Sequence, residues 1–211
     1  TQGDILYRDG SGLQRLAKPA SDMYLKNTSG GVVSWAAVSS PIKKSYIKHF
    51  RGGQSISGFS ASSPAEVANY NLIITPTSNT SVFLATYNIN IGSHSDHTFI
   101  QAVAKTDGGS YIKLGRGKSS FENSNTYFDF GSFRHNADAN INVNSGHQFY
   151  YAPATTTNIV FALYCGQHSG TAYFGRSSDG TSDDYTSLGM TLRVDEYASS
   201  SDLAYSEYTS G

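Results

Sequence analysis

The stretch that decides the fold is residues 83–91, which reads FLATYNINI. Its odd-numbered positions hold Phe, Ala, Tyr, Ile and Ile, whereas three of its four even-numbered positions are polar. A period of two residues places successive side chains on opposite faces of a β-strand. The stretch therefore predicts a strand with one buried and mainly apolar face.

Comparable runs recur from residue 42 to residue 197, separated by Gly, Ser, Asn and Asp. The run Ile159–Cys165 is apolar throughout, which predicts a strand that is covered on both faces and central in its sheet. The run 188–194 alternates again and predicts a half-buried strand. Further strands are expected at 46–51, 72–75, 99–105, 111–114, 127–133, 148–152 and 171–176. Short polar links without a helix-length crossover are typical of an antiparallel sandwich or barrel.

One short stretch favours a helix. Residues 63–66 read SPAE, the pattern of a capping box with proline at the first helical position. Val67 and Tyr70 follow at a spacing that suits the inward stripe of such a helix. The sequence predicts one or two helical turns here.

Residues 1–40 differ from the rest, because their apolar residues come in short pulses between Gly, Asp, Ser and Pro. Such pulses are too short to bury a core alone and predict small hairpins that lie on something larger. The chain is thus predicted to consist of an attachment segment at 1–40, a β-head at 41–198 and a polar, Ser-rich tail at 199–211.

Composition excludes several classes of partner. The chain has 211 residues and a formal net charge of −1, so no long-range field gathers phosphates or anionic lipid. Neither nucleic acid nor membrane is expected as a partner. The single cysteine, Cys165, lies in an apolar run and is predicted to be a buried thiol, with a reactive or bridging thiol as the alternative. Residues 115–118 (GRGK) lack the spacing of a phosphate loop, and no cofactor is expected.

Two polar loops carry residues that bind metals elsewhere. His94, Asp96 and His97 lie within four positions and could share an ion such as zinc if the loop curls. The stretch Asp179–Asp184 holds three carboxylates around a turn but lacks the calcium-ligand spacing of an EF-hand. The first loop has no second pair of ligands to anchor an ion. We therefore predict solvent-exposed turns and no metal at either place.

The sequence predicts binding rather than catalysis. It contains no nucleophile elbow, zinc-protease helix, dinucleotide fingerprint or carboxylate pair on adjoining strands. It does contain fifteen tyrosines, whose rings and hydroxyls suit contacts with glycans or proteins. In the pairs Tyr150-Tyr151 and Tyr173-Phe174 one ring is expected to pack inward, since neighbours on a strand face opposite ways. For these clusters, packing in the core or between subunits is favoured, and contact with a ligand is the alternative.

The N-terminal run GDILYRDG at 3–10, continued by RLA at 15–17, LK at 25–26 and GVVSW at 31–35, resembles a segment of tail-fibre and other structural proteins of bacteriophages and aquatic viruses. This chain departs from that pattern at Ser21 and Asp22, where a Gly is usual, and it has no shaft of repeats. The resemblance covers about forty residues. It leaves open a tail fibre, a head fibre or a capsid decoration.

The larger part resembles the jelly-roll heads of trimeric viral fibres, which are similar to the tumour-necrosis-factor-like fold. The resemblance lies in LIITP at 72–76, VFL at 82–84 and the closing run 188–197. It implies an antiparallel jelly-roll sandwich that forms a homotrimer on the virion.

Our leading hypothesis is a virion structural protein that docks on a capsid or tail protein through residues 1–40. The residues proposed for docking are Asp4, Tyr7, Asp9, Leu16 and Trp35, with simple packing on its own domain as the alternative for Trp35. A second hypothesis is an adhesin head that recognises a glycan or receptor on the host surface. The surface residues proposed for it are His94, Asp96, His97, Tyr151 and Tyr173. A depolymerase is a third hypothesis, which would require a carboxylate pair at hydrolase spacing.

Overall fold

The computed structural model describes residues 2–37, 40–57, 65–93, 98–114, 132–133, 142–167, 171–175 and 189–203. Its regular elements within these ranges are fifteen β-strands. The predicted all-β class is confirmed. The chain divides into two units, Thr1–Ser40 and Pro41–Gly211. No helix within the described residues has the length and apolar character that a membrane span needs.

The first unit consists of two hairpins, as its apolar pulses predicted. Strands β1 (Ile5–Asp9) and β2 (Gly12–Leu16) pair antiparallel, and so do β3 (Tyr24–Asn27) and β4 (Val33–Ala36). The first turn needs glycine because Gly12 has a φ of 123°, a conformation that other residues rarely adopt. The Asp9 carboxylate accepts a hydrogen bond from the Ser11 amide at 2.8 Å and so fixes the same turn.

The second unit contains eleven strands in the described residues, all paired antiparallel. They are β5 (Ile42–Phe50), β6 (Gln54–Ser57), β7 (Ala65–Ile74), β8 (Val82–Ser93), β9 (Thr98–Thr106), β10 (Ile112–Lys113), β11 (Ser132–Phe133), β12 (Asn142–Tyr151), β13 (Ile159–Gln167), β14 (Thr171–Phe174) and β15 (Met190–Tyr197). Residues 127–131, 176 and 188 of the predicted strands lie outside the described residues.

These strands form two sheets. One has the order β5-β15-β8-β14-β6, with β12 also on β8, and the other has the order β10-β9-β13-β7, with β11 also on β9. Strand β12 pairs with β8 from residue 83 to residue 92, whereas β15 pairs with 82–88 and β14 with 91–93. Because these ranges overlap, β12 lies along one edge of β8, and β15 and β14 follow each other along the opposite edge. The stretch 83–91 is therefore flanked by β12 on one side and, except at residues 89–90, by β15 or β14 on the other.

The core contains the side chains that the two-residue period placed on one face. In β8 the exposed fraction is 2% or less at the alternating positions Phe83, Ala85, Tyr87, Ile89 and Ile91. In β13 the corresponding set, Ile159, Phe161, Leu163 and Cys165, is fully buried. Strand β13 lies between β9 and β7, as predicted from its continuous apolar run. The rings of Phe83 and Phe161 lie 6.0 Å apart at 60° and join the two sheets.

The predicted helix is wrong for its described part, because residues 65–74 form strand β7. Ser63 and Pro64 lie outside the described residues. Strand β7 contains a bulge. The five steps from Glu66 to Asn71 in β7 lie opposite only two steps of β13, from Tyr164 to Ala162, and Asn69 within the bulge adopts a positive φ of 62°. The extra residues shift the phase of the strand, so Val67 and Tyr70 both point inward and are fully buried. Their three-residue spacing thus comes from a bulge and not from a helical turn.

A buried carboxylate holds the link between the two sheets. Glu196 of β15 is fully buried, and its Oε1 accepts hydrogen bonds from the Thr77 amide at 2.6 Å, the Thr77 hydroxyl at 2.7 Å and the Ser81 hydroxyl at 2.6 Å. The Tyr46 hydroxyl donates to Oε2 at 3.3 Å. Residues 75–81 connect β7 of one sheet to β8 of the other. Glu196 therefore fixes this crossover to the last strand of the head.

Candidate docking surface on the first unit

Exposed apolar side chains are concentrated in the first unit. Among the described residues, nine large hydrophobic side chains are exposed, and six of them lie within residues 1–40. They are Leu6, Leu13, Met23, Tyr24, Leu25 and Val32. Contiguous exposed apolar surface on a protein commonly marks a site of contact with another protein or a membrane. The first unit is therefore the best candidate for a docking surface.

The two faces of the first hairpin differ. On one face, Ile5, Tyr7 and Leu16 are half-buried. The other face carries Leu6 and Leu13, which are 67% and 72% exposed, together with two arginines. The register places Leu6 opposite Arg15 and Arg8 opposite Leu13. We call these four residues the Leu–Arg face.

Asp4 and Asp9, two of the residues predicted to dock, have bonding partners inside the hairpin. The Asp4 side chain is only 8% exposed, and its Oδ2 lies 2.7 Å from Arg15 Nε and 2.6 Å from Arg15 Nη2. Its Oδ1 also accepts a hydrogen bond from the Lys18 amide at 2.9 Å. Asp9 is bonded to the Ser11 amide. The structure thus shows a structural task for both carboxylates.

Trp35 links the two hairpins of the first unit. Its Nε1 donates a hydrogen bond to the Ala17 carbonyl at 2.6 Å, and its side chain is half-buried. Tyr7 and Leu16 are half-buried on the face of the first hairpin opposite to Leu6 and Leu13. Docking through Asp4, Tyr7, Asp9, Leu16 and Trp35 stays a prediction. No sequence motif marks the Leu–Arg face, although folding the chain back at residues 10–11 places its four residues together.

Several candidate residues of the head fall outside the described part of the chain. These are His94, Asp96, His97, the stretch 179–184 and the basic turn 115–118. Within the described residues, no group of three or more His, Cys, Asp or Glu side chains is placed to hold a metal ion. Cys165 is buried as predicted, and this burial raises the pKa of its thiol to about 12.

The two tyrosines proposed for a recognition surface have different surroundings. Tyr151 packs edge-on against the buried Phe161, with ring centroids 5.8 Å apart, and burial raises the pKa of its hydroxyl. Tyr173 is half-buried on β14, next in sequence to the fully buried Phe174. Recognition of a ligand by either ring stays a prediction.

The head also carries an aromatic cluster that no sequence motif predicts. Tyr111 and Tyr164 contact each other edge to face at 5.2 Å, and Lys105 Nζ lies 4.4 Å from the centre of the Tyr111 ring. The Tyr111 hydroxyl donates to Glu66 Oε2 at 3.4 Å. The pKa of Tyr111 rises to about 12, first because of burial and then because of Glu66 and Tyr164. A phenol that stays protonated at neutral pH offers contacts rather than base catalysis.

The members of this cluster come from four strands or their flanking residues, so no local motif marks it. Tyr164 lies opposite Glu66 on one side, and Lys105 lies opposite Val160 on the other. All four side chains of the cluster are half-buried. They lie on the outer face of the five-stranded sheet, because the alternate residues of β13 point into the core.

The comparisons with known proteins reach only distant structures. No family model matches the chain. No curated protein matches it either. Similar solved structures include infectious bursal disease virus, Gx strain, at 10% identity and a TM-score of 0.35 over 92% of this chain and 46% of that chain. The VP2 subviral particle of the same virus has 10% sequence identity and a TM-score of 0.36, over 89% of this chain and 44% of that chain. The chain thus spans less than half the length of these structures, and a likeness this low carries no argument about function.

Proposed function

We propose that this protein is a non-enzymatic structural component of a virus particle, either a fibre or a capsid decoration, located in the virion. Residues 1–40 dock on a capsid or tail protein, and the β-head is displayed as a homotrimer. The observation that carries the proposal is the concentration of exposed apolar side chains in a small unit of two hairpins. The resemblance of residues 3–35 to viral attachment segments supports the assignment to a virion.

The physical argument is that two-stranded hairpins have little stability of their own in water. The Asp4–Arg15 ion pair and the Trp35–Ala17 hydrogen bond tie the first unit together. An exposed ion pair contributes about 0–1 kcal/mol and a hydrogen bond about 0.5–1.5 kcal/mol. Burying one leucine contributes about 1.5–3 kcal/mol. Burial of Leu6 and Leu13 together against a partner would therefore stabilise this unit by an amount comparable with or larger than that of these two internal bonds.

Deletion of residues 1–40 is expected to abolish incorporation into particles while leaving a folded head. The head retains its complete hydrophobic cluster, which lies in residues 67–194. The measurement is the copy number of the truncated chain in purified particles, beside the full-length chain. Circular dichroism and mass by light scattering check that the truncated form is a β-rich trimer. Incorporation of the truncated chain at the full-length level would contradict docking through this segment.

A second candidate function is an adhesin head, which the Tyr111–Tyr164 cluster favours. Aromatic rings beside carboxylate and ammonium groups suit contacts with sugars and with proteins. If the head recognises a host surface, Tyr164→Ala is expected to weaken binding of the full-length protein to host cells. The matched control is Ile73→Ala, which shortens another outward side chain of the same sheet. Unmodified protein that neither binds host cells nor blocks infection would exclude the adhesin and leave the structural role.

A further inference from the structure

We infer that the Leu–Arg face of the first hairpin is the surface that docks, and that its partner is a protein surface with two apolar pockets bordered by carboxylates. This inference rests on the proposed docking role of residues 1–40 and names the face and the chemistry of the partner.

The geometry of the hairpin gathers the four side chains on one face. Leu6 and Leu13 have the largest exposed fractions of the large hydrophobic side chains in the described residues. In the register Leu6 faces Arg15 and Leu13 faces Arg8, so the leucines lie on one diagonal and the arginines on the other. Diagonal neighbours of an antiparallel pair lie about 7–8 Å apart. Both leucines can therefore enter one partner surface at the same time.

The opposite face is a weaker candidate. Ile5, Tyr7 and Leu16 on that face are already half-buried. A face that is already partly covered gains less by excluding water than one with leucines about two-thirds exposed. The Asp9 carboxylate is likewise bound within its own turn.

The charge on the Leu–Arg face specifies the partner. It carries two guanidinium groups, of which that of Arg15 is paired with the Asp4 carboxylate, so the net positive charge of this face comes from Arg8. Positive charge therefore dominates the part that meets solvent. Guanidinium groups bind carboxylates in a two-pronged geometry, and charge at the rim of an apolar contact fixes the partner and its orientation. An acidic protein surface with pockets for the two leucines matches this pattern.

The test uses the full-length chain and particles assembled without it. The double variant Leu6→Ser/Leu13→Ser is expected to lower the amount bound by more than about tenfold, which corresponds to about 1.4 kcal/mol. The variant Arg8→Glu is expected to weaken binding to a similar extent and leaves the Asp4–Arg15 pair intact. Binding of the unmodified chain is expected to weaken as salt rises from about 0.05 M to about 0.5 M. The control Ile73→Ser removes a side chain that is 60% exposed on the head and should bind normally.

Two results overturn the inference and are separable from failure of the proposed function. If both variants bind like the unmodified chain while deletion of residues 1–40 still abolishes binding, the segment docks through another face. If only the leucine variant binds weakly and salt has no effect, the partner surface is apolar without the carboxylates inferred here. If the chain that lacks residues 1–40 binds normally, the proposed function fails. Dichroism of each variant checks that it keeps the β-rich fold.

Discussion

Replacing Phe161 by alanine is expected to lower the free energy of unfolding by about 3–5 kcal/mol. Phe161 is fully buried on β13, and its ring meets Phe83 at 6.0 Å and Tyr151 at 5.8 Å. Strand β13 is hydrogen-bonded on both edges, to β9 and β7, so the backbone cannot move in to fill the space. The cavity therefore remains. Urea denaturation followed by dichroism measures the change as a shift of the midpoint at constant slope.

The control is Tyr164→Ala on the same strand. Tyr164 points to the outer face and is half-buried, so its truncation leaves an opening to solvent rather than a closed cavity. The expected loss is about 1 kcal/mol. The loss in free energy of unfolding for Phe161→Leu should lie between those for Phe161→Ala and Tyr164→Ala, because leucine fills part of the space left by phenylalanine. Equal losses for Phe161→Ala and Tyr164→Ala would show that the face of β13 towards Phe83 is not the core.

The strands could be predicted where one face is buried and the sheet is regular. Met190, Leu192 and Val194 of β15 alternate in the sequence and are all buried in the structure. The same holds for β8. A two-residue period is a direct consequence of the pleat, because successive side chains point to opposite faces. Hydropathy alone therefore locates such strands and their inward residues.

The helix prediction failed where the sheet is irregular. A bulge changes the phase of the alternation, and Val67 and Tyr70 then share a face at a spacing that also suits a helix. Local sequence does not separate the two structures. The difference lies in β13, whose Tyr164 pairs with Glu66 and whose Ala162 pairs with Asn71. Those partners are nearly a hundred residues away, so the decisive contact is absent from the local pattern.

The candidate site was harder to predict than the fold for a related reason. The sequence proposes Asp4 and Asp9 for docking, but carboxylates accept strong hydrogen bonds, and in the structure both bond within the hairpin. Leu6 and Leu13 carry no chemical signal of their own. They become noticeable only when the register leaves both exposed beside Arg8 and Arg15. Exposure is a property of the folded chain, and composition does not encode it.

Replacing Glu196 by glutamine is expected to lower the free energy of unfolding at neutral pH by about 2–4 kcal/mol. The Oε1 atom receives three hydrogen bonds from Thr77 and Ser81, and hydrogen bonds to a charged acceptor contribute about 1.5–3 kcal/mol each. Glutamine has nearly the same shape but no charge, so these bonds weaken and its NH₂ group needs an acceptor. The matched control is Glu66→Gln, a half-buried carboxylate on the outer face, for which we expect a loss of less than about 1 kcal/mol.

The pH dependence tests the same network independently. Burial raises the pKa of Glu196, but the hydrogen bonds from Ser81, Thr77 and Tyr46 lower it by a larger amount. The pKa of Glu196 in the folded protein therefore lies below its ordinary value. The stabilisation is therefore complete above the pKa of the unfolded chain and is lost as pH falls through the folded pKa. Glutamine does not titrate, so the difference in stability between the unmodified protein and Glu196→Gln should shrink on acidification. A difference that stays constant from neutral to strongly acidic pH would mean that the Glu196 carboxylate is not what fastens the 75–81 crossover to β15.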